Sequence, residues 1–127
     1  MTTWSAPVRY AEVDQQGVVF NAHYLTYCDE AMGALCAEHG LLDIAERIQL
    51  VSSTLTWQAP ARWGDVVEVD ARCTRLGNSS LDIAFTIRVS AGVTGGRDCA
   101  SVDTTYVLTD LAGTPERLPE RLRLALG

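Results

Sequence analysis

The sequence predicts an α+β fold in which one long helix lies against an antiparallel sheet. Three observations lead to this class: residues 24–39 carry apolar side chains at helical spacing, four later segments alternate apolar and polar residues, and short turns join those segments. Strands joined by short turns pair antiparallel, because a parallel pair needs a long crossover connection. A sheet with one apolar face must be covered, and the helix is the element that can cover it.

The first predicted elements are a strand before Asp14 and a helix from Tyr24 to His39. The polar, β-branched run that ends at Asp14 predicts the strand. Asn21 is a suitable N-cap for the helix, and Gly40 stands where a left-handed residue ends one. Gly33 costs a helix interior about 1 kcal/mol relative to alanine, which a close approach of the sheet or of a partner would explain. The apolar stripe of the helix consists of Leu25, Cys28, Met32, Leu35 and Cys36.

Four longer strands follow the helix, at residues 47–58, 65–76, 80–90 and 98–110. Turn residues at 76–78 and 92–96 predict hairpins between them. Each strand has one apolar face, so the sheet has one face in the core. After Pro115 the spacing of Leu118, Leu122 and Leu126 predicts a short terminal helix that packs as a tail.

Length and composition indicate one globular unit, so we expect residues 1–127 to form a single domain. Hydrophobic residues make up 47% and charged residues 20%, which argues against disorder. A formal net charge of −6 and a pI near 4.7 disfavour binding to nucleic acid or anionic bilayers. No apolar run reaches the roughly 18 residues that span a bilayer, and the first residues lack a signal-peptide pattern. We therefore expect a cytoplasmic protein without membrane insertion.

The cysteines predict free thiols rather than a metal or disulfide framework. They form no C-x-x-C pair and no cluster with histidine, so neither a structural zinc site nor a redox dithiol is indicated. The four positions are Cys28, Cys36, Cys73 and Cys99. We expect no metal and no cofactor.

Five short motifs occur along nearly the whole chain in a characteristic order. They are DQQGVV at 14–19, Tyr24 with the acidic pair at 29–30, PARWGD at 60–65, GNSS at 77–80 and GTPERLPERLRLAL at 113–126. Together these motifs resemble the hotdog-fold acyl-CoA thioesterases, and specifically the 4-hydroxybenzoyl-CoA thioesterase-like group.

The resemblance implies a fold, an assembly and a reaction. A five-stranded antiparallel sheet would wrap around the long helix, and two subunits would join their sheets as a homodimer, or further as a tetramer, with the substrate at the interface. The reaction would be hydrolysis of an aromatic or short-chain acyl-CoA. The Asp14 carboxylate would act as nucleophile or general base, and the backbone N–H of Asn21 would polarise the thioester carbonyl. Other residues expected at the substrate are Gly17, Val18, Tyr24 and Asp29.

The chemistry of a thioester suits these residue types. Its carbonyl oxygen gains negative charge during attack, and free N–H groups at a helix N-terminus stabilise that charge. Gly17 would remove a side chain where the acyl group and the backbone would collide. The chain departs from the family where many relatives carry histidine, because Asn21 stands there and His23 comes two places later. His23 is open to three interpretations: a general base, a hydrogen-bond donor in the pocket, or a plain first-turn residue.

Coenzyme A brings phosphates, which need cationic partners. Arg62, Arg88 and Arg97 lie on strand or turn positions that suit such contacts, although surface arginines without this role fit equally well. Trp57 and Trp63 flank the Pro60 turn and are predicted to pack.

Two alternatives to hydrolysis stay open. One is a catalytically silent acyl-CoA-binding or regulatory module, from which the acid at Asp14 would distinguish an enzyme. The other is a hotdog-fold dehydratase, which would need a paired histidine and carboxylate at the double bond.

Overall fold

The computed structural model describes residues 1–92 and 96–127. Among these residues no helix is both long and apolar enough to cross a membrane. The elements are β1 (Thr2–Pro7), a 3₁₀ turn (Tyr10–Glu12), α1 (His23–Glu38), α2 (Leu42–Ala45), β2 (Ile48–Trp57), β3 (Val66–Leu76), β4 (Ser80–Ala91), β5 (Arg97–Leu108) and α3 (Glu120–Leu126).

The five strands form one antiparallel sheet in the order β1-β3-β4-β5-β2. Phe85 of β4 lies at the centre, opposite Ala71 of β3 and Val102 of β5. β1 and β2 are therefore the edges, and β2 is the longer of the two with 10 residues. The predicted α+β class with an antiparallel sheet is confirmed.

The core lies between α1 and one face of the sheet. Alternate residues of β4 are buried there, as the period-two pattern predicts: Leu81, Ile83, Phe85, Ile87 and Val89. The helix contributes a buried stripe made of Tyr24, Tyr27, Cys28, Ala31, Met32, Leu35 and Cys36. Burying this stripe requires α1 to lie across the apolar face, which positions its N-terminus beside the segment that contains Asp14.

The predicted strand before Asp14 is wrong. The first strand is β1, at Thr2–Pro7, and the residues just before Asp14 form the 3₁₀ turn at Tyr10–Glu12. The reason is a tertiary contact, because the Glu12 carboxylate accepts hydrogen bonds from the Arg9 backbone N–H at 2.8 Å and from the Tyr27 hydroxyl at 3.0 Å. These contacts turn the chain back toward α1.

The helix differs from the prediction in three details. It begins at His23 rather than Tyr24, and Ala22 is the N-cap residue, so the prediction of Asn21 as N-cap is wrong. At the other end Gly40 adopts φ +68°, which confirms its predicted left-handed conformation. A Cβ on Gly33 would meet no described atom of the sheet within 4 Å, so the chain itself supplies no close approach there.

The remaining predictions concern the hairpin turns, the terminal helix and the cysteines. The hairpin at 76–78 is confirmed by a hydrogen bond from the Gly77 N–H to the Ser80 carbonyl at 2.7 Å. Part of the hairpin predicted at 92–96 falls outside the described residues. The terminal helix is shorter than predicted because Pro119 is extended and precedes it, although Leu118 and Leu122 are buried as expected. All four cysteines are free thiols, as predicted.

Candidate active site

Residues 13–19 form a tight hairpin that presents Asp14. Val13 and Val19 pair across its base. The Asp14 N–H donates to the Val18 carbonyl at 2.9 Å, and the Gly17 N–H donates to the Asp14 carbonyl at 3.0 Å. Gly17 adopts φ +77°, a conformation that L residues rarely take, so the turn itself requires glycine.

The Asp14 carboxylate is exposed at this turn. Its Oδ1 accepts the Gln16 N–H at 2.8 Å, which fixes the side chain against its own backbone. Among the described residues, Oδ2 has no hydrogen-bond partner. One oxygen therefore orients the carboxylate, and the other is available to a substrate or to water.

The N-terminus of α1 follows the hairpin directly. The His23 N–H donates to the Phe20 carbonyl at 2.9 Å and the Tyr24 N–H to the Asn21 carbonyl at 3.3 Å. In the described part of the chain, the Asn21 N–H donates to no acceptor. This donor can therefore bind an oxyanion, with the helix dipole behind it. The half-buried His23 ring lies 6.3 Å from the Phe20 ring, edge to face.

A cavity of about 230 Å³ opens beside this helix end, between the Asp14 hairpin and the end of β2. Tyr24 is buried in its wall, where the hydroxyl oxygen accepts the Ala61 N–H at 3.1 Å. Burial raises the pKa of the Tyr24 hydroxyl, so this group stays protonated. The lining residues are Val18, Val19, Asn21, Tyr24, Trp57, Gln58, Ala59 and Pro60. Val18, Asn21 and Tyr24 therefore line one cavity.

Asp29 lies on a different cavity, also of about 230 Å³. Although much of the residue is exposed, partial burial raises the pKa of its carboxyl, and the neighbouring Glu30 adds to the rise. The mainly apolar lining comprises Asp29, Met32, Gly33, Cys36, Ala45, Ile48 and Tyr106. Within one described chain, Asp29 is therefore not in the same cavity as Asn21.

The three candidate arginines differ in availability. Arg88 forms ion pairs with Glu68 at 2.5 Å and Asp70 at 2.7 Å on the outer sheet face, so two carboxylates already occupy its guanidinium. Arg97 donates to the Pro60 carbonyl at 3.0 Å, next to the cavity at Asn21. The exposed Arg62 pairs through its backbone with Val18, and its guanidinium has no partner in the described residues.

Sequence reasoning missed a buried polar cluster directly behind the hairpin. Glu12 is buried, and its carboxylate binds Arg9 and Tyr27. The spacing of Arg9 and Glu12 was a local signal for this pair, but Tyr27 joins it only through the fold. Trp57 and Trp63 pack against tyrosine rings as predicted, with centroids 6.4 Å from Tyr24 and 5.2 Å from Tyr10 respectively, while both side chains stay about half exposed.

A larger cavity, of about 610 Å³, lies away from these residues. Its cationic member, Arg47, is paired with Glu116 at 2.6 Å, and none of the predicted site residues lines it. Over residues 1–92 and 96–127, no three histidine, cysteine or acidic residues are placed to hold a metal ion. The hairpin and the α1 N-terminus contain the predicted residues Asp14, Gly17, Val18 and Asn21.

Comparison with known proteins decides the family. The family model of the thioesterase superfamily matches residues 16–95, which is more than half of the chain and starts two residues after Asp14. The chain belongs to the thioesterase superfamily.

The chain is similar to the acyl-CoA thioester hydrolase YbgC of Escherichia coli O6:H1. The two sequences are 31% identical over 91 residues, which span 68% of this chain and 66% of the relative. The aligned part thus leaves about a third of each chain outside it.

Solved structures confirm the hotdog thioesterase fold predicted from the motifs. A thioesterase from Thermus thermophilus, complexed with coenzyme A and Zn, superposes with a TM-score of 0.87 at 25% identity, over 98% of this chain and 91% of that one. The hypothetical protein TT1821 from Thermus thermophilus superposes with a TM-score of 0.85 at 30% identity, over 99% and 97% of the two chains.

Proposed function

We propose that the protein is an acyl-CoA thioesterase that hydrolyses an aromatic or short-chain acyl-CoA. The observation that carries this proposal is local: Asp14 Oδ2 and the Asn21 N–H have no partner among the described residues, and both belong to one continuous unit, a hairpin followed by a helix N-terminus. Membership of the thioesterase superfamily supports the same reaction.

The two groups serve different parts of the reaction. As the thioester carbon is attacked, its oxygen becomes negative, and a fixed N–H that needs no reorganisation stabilises it. Asn21 supplies that N–H through its backbone, so an asparagine in place of the family's frequent histidine does not remove the donor. Asp14 supplies the base or the nucleophile.

Both roles of Asp14 give a balanced reaction. As general base, it removes a proton from water while the water oxygen bonds to the carbonyl carbon; the C–S bond then breaks, and the departing coenzyme A sulfur regains a proton. As nucleophile, its own oxygen bonds to the carbonyl carbon and displaces the thiolate, and water then hydrolyses the resulting mixed anhydride. The free Oδ2 fits either role.

The cavities support a small acyl group. Each holds about 230 Å³, below the roughly 300 to 1,000 Å³ of sites for drug-sized ligands, so each takes only part of an acyl-CoA. We assign the acyl group to the space that Val18 and Tyr24 line beside Asn21, and Asp29 stays a candidate substrate contact at the second cavity. Gly17 keeps the hairpin compact, and His23 stays a candidate donor at the rim.

For the coenzyme A phosphates we propose Arg62 and Arg97. Arg62 has an unpaired guanidinium in the described part of the chain and pairs with Val18 through its backbone, while Arg97 contacts Pro60 at the cavity wall. Arginine binds phosphate through paired N–H donors. Arg88 is the weaker candidate because two carboxylates already bind it.

We further propose a homodimer that forms through β2, with a tetramer as a possible higher assembly. β2 is a 10-residue edge strand, and its Leu50 and Val51 are 47% and 60% exposed. An uncovered edge of this kind pairs readily with another strand. The partner would then meet the cavity at Trp57. Metal-independent hydrolysis and a cytoplasmic location complete the proposal.

A substrate panel tests the proposed function. Benzoyl-, 4-hydroxybenzoyl-, acetyl- and hexanoyl-CoA are incubated with the protein, and coenzyme A release is followed by chromatography. We expect at least one kcat/KM above about 10⁴ M⁻¹s⁻¹, unchanged by a chelator. The same acyl group on acyl-carrier protein identifies the carrier. Calorimetric binding of acyl-CoA without hydrolysis would instead establish a silent binding module.

A further inference from the structure

Glu12 is a buried charge two residues before Asp14. Its side chain is 5% exposed, against 68% for its ion-pair partner Arg9. The carboxylate accepts the Arg9 backbone N–H at 2.8 Å, the Arg9 Nε and Nη2 at 3.0 and 2.6 Å, and the Tyr27 hydroxyl at 3.0 Å. Every donor comes from the chain, so Glu12 is committed to holding structure and is not available to a ligand.

The backbone of Glu12 is tied to the reactive centre as well. Its carbonyl accepts the Phe20 N–H at 2.9 Å. Phe20 directly precedes Asn21, whose N–H is the proposed oxyanion donor. Glu12, which precedes the Asp14 hairpin, is therefore hydrogen-bonded to Phe20, which follows it.

Two tyrosines of α1, three residues apart, hold opposite ends of that hairpin. Tyr27 binds Glu12 at its start. Tyr24 accepts the Ala61 N–H, and the Ala61 carbonyl accepts the Val19 N–H at 2.8 Å near its end. The tyrosine rings contact each other edge to face with centroids 6.1 Å apart. The helix is thus linked to the start of the hairpin through Tyr27 and Glu12, and to its end through Tyr24 and Ala61.

We propose that Glu12 and Tyr27 are positioning residues that fix the Asp14 carboxylate relative to the Asn21 N–H. This inference rests on the proposed thioesterase activity. Neither residue touches the substrate, and both act through the hairpin. A displacement of about 1 Å at a reacting group lowers a rate by up to about 100-fold, so a rigid support is needed where the carboxylate sits on an exposed turn.

A purely structural role would not require this chemistry. A buried carboxylate is costly unless it is fully paired, and apolar residues of similar volume often serve stability equally well. The directional hydrogen bond from Tyr27 provides what apolar packing does not, namely a defined distance between α1 and the turn that leads to Asp14.

The test compares Tyr27→Phe, Glu12→Ala and Glu12→Gln with the parent on its best acyl-CoA. We expect kcat to fall about 10-fold in Tyr27→Phe and about 10- to 100-fold in Glu12→Ala, with KM little changed. Glu12→Gln should recover part of the loss, because its amide oxygen can still accept the Tyr27 hydroxyl. Amide hydrogen exchange, followed by NMR, should accelerate at Phe20 in Tyr27→Phe.

Thr2→Val is the matched control. It removes a buried hydroxyl that donates to Glu38 at the far end of α1, so it should lower stability and leave kcat unchanged. An active parent whose Tyr27→Phe and Glu12→Ala variants keep its kcat would overturn the positioning role alone. A parent that hydrolyses no acyl-CoA would overturn the proposed function and this inference with it.

Discussion

At the residue scale, two aspartates show how location decides the role of a carboxylate. Asp14 Oδ1 accepts the N–H of Gln16, and Asp110 Oδ1 accepts the N–H of Ala112 at 2.9 Å in the same kind of turn. Asp110 accepts a second N–H, from Thr114, at 3.0 Å. Of these two aspartates, it is Asp14 that is followed by a helix N-terminus with a free donor. The turn conformation is common to both, so the neighbouring helix distinguishes the candidate catalytic acid.

Substitution of Asn21 separates the side chain from the backbone donor. Asn21→Ala should keep kcat near the parent value and change the free energy of unfolding by less than about 0.5 kcal/mol, because the side chain caps nothing. Asn21→Pro deletes the N–H and should lower kcat by about 10² to 10³. Steady-state kinetics and urea unfolding of both variants check this. Equal kcat values for Asn21→Ala and Asn21→Pro would show that the Asn21 N–H takes no part in the reaction.

Glu12 should give the protein a defined pH dependence. Burial alone would raise the pKa of its carboxyl, but the hydrogen bonds from Arg9 and Tyr27 and the charge of Arg9 outweigh burial and hold it below the usual range. A lowered folded-state pKa contributes stability above the unfolded pKa, near 4.3, and loses it as pH falls through the folded value. The stability gap between the parent and Glu12→Gln should therefore be full well above the unfolded pKa and narrow as pH falls below it. Urea unfolding midpoints of both proteins, taken from neutral to acidic pH, measure this gap. A gap that does not change with pH would contradict the ion pair of Glu12 with Arg9.

The residues proposed for the site differ in how far sequence alone identifies them. Asp14, Gly17 and Asn21 are adjacent in the chain, so their motif contains most of the information about their arrangement. Glu12 depends on Tyr27, 15 residues away in sequence, and a single sequence does not reveal that contact. The ion pairs of Arg88 were likewise not predictable, because its partners lie across a strand pair.

At the element scale, regular patterns were predictable and contacts between elements were not. β4 was predicted to within one residue because its alternation continues over its length. β1 was missed because it is short and ends at Pro7, and the run after it has a β-like composition that Glu12 and Tyr27 override. The separation of the Asn21 and Asp29 cavities likewise depends on how α1 meets the sheet.

The end of α1 offers a test of helix termination. Gly40 adopts φ +68° with no neighbouring atom in the way, so its conformation alone decides the effect of a side chain. Gly40→Ala should lower the free energy of unfolding by about 1 kcal/mol, and Gly40→Asn should lower it less, since asparagine tolerates this region. Urea unfolding at neutral pH compares them. If Gly40→Ala has the same free energy of unfolding as the parent, the end of α1 does not require a left-handed residue.

At the scale of the whole molecule, we propose that a second subunit docks at β2. Val51, at a register shift in β2, is 60% exposed. Val51→Lys should weaken the dimer because a charge on an edge strand opposes strand pairing. Leu111→Lys is the control, since Leu111 is 94% exposed but lies beyond β5. Sedimentation of a parent that is monomeric at micromolar concentration would contradict the interface.

The central proposal is that the Asp14 carboxylate, on the hairpin that precedes the Asn21 N–H, carries thioester hydrolysis, and Asp14→Asn tests it most directly. Asparagine keeps an oxygen for the Gln16 N–H and removes only the charge, while Asp110→Asn makes the same change in the same kind of turn away from the site. We predict that kcat on the best acyl-CoA falls by about 10² to 10⁴ in Asp14→Asn and is unchanged in Asp110→Asn, with unfolding midpoints of both near the parent's. Hydrolysis by Asp14→Asn at the parent rate would contradict the mechanism and move attention to His23.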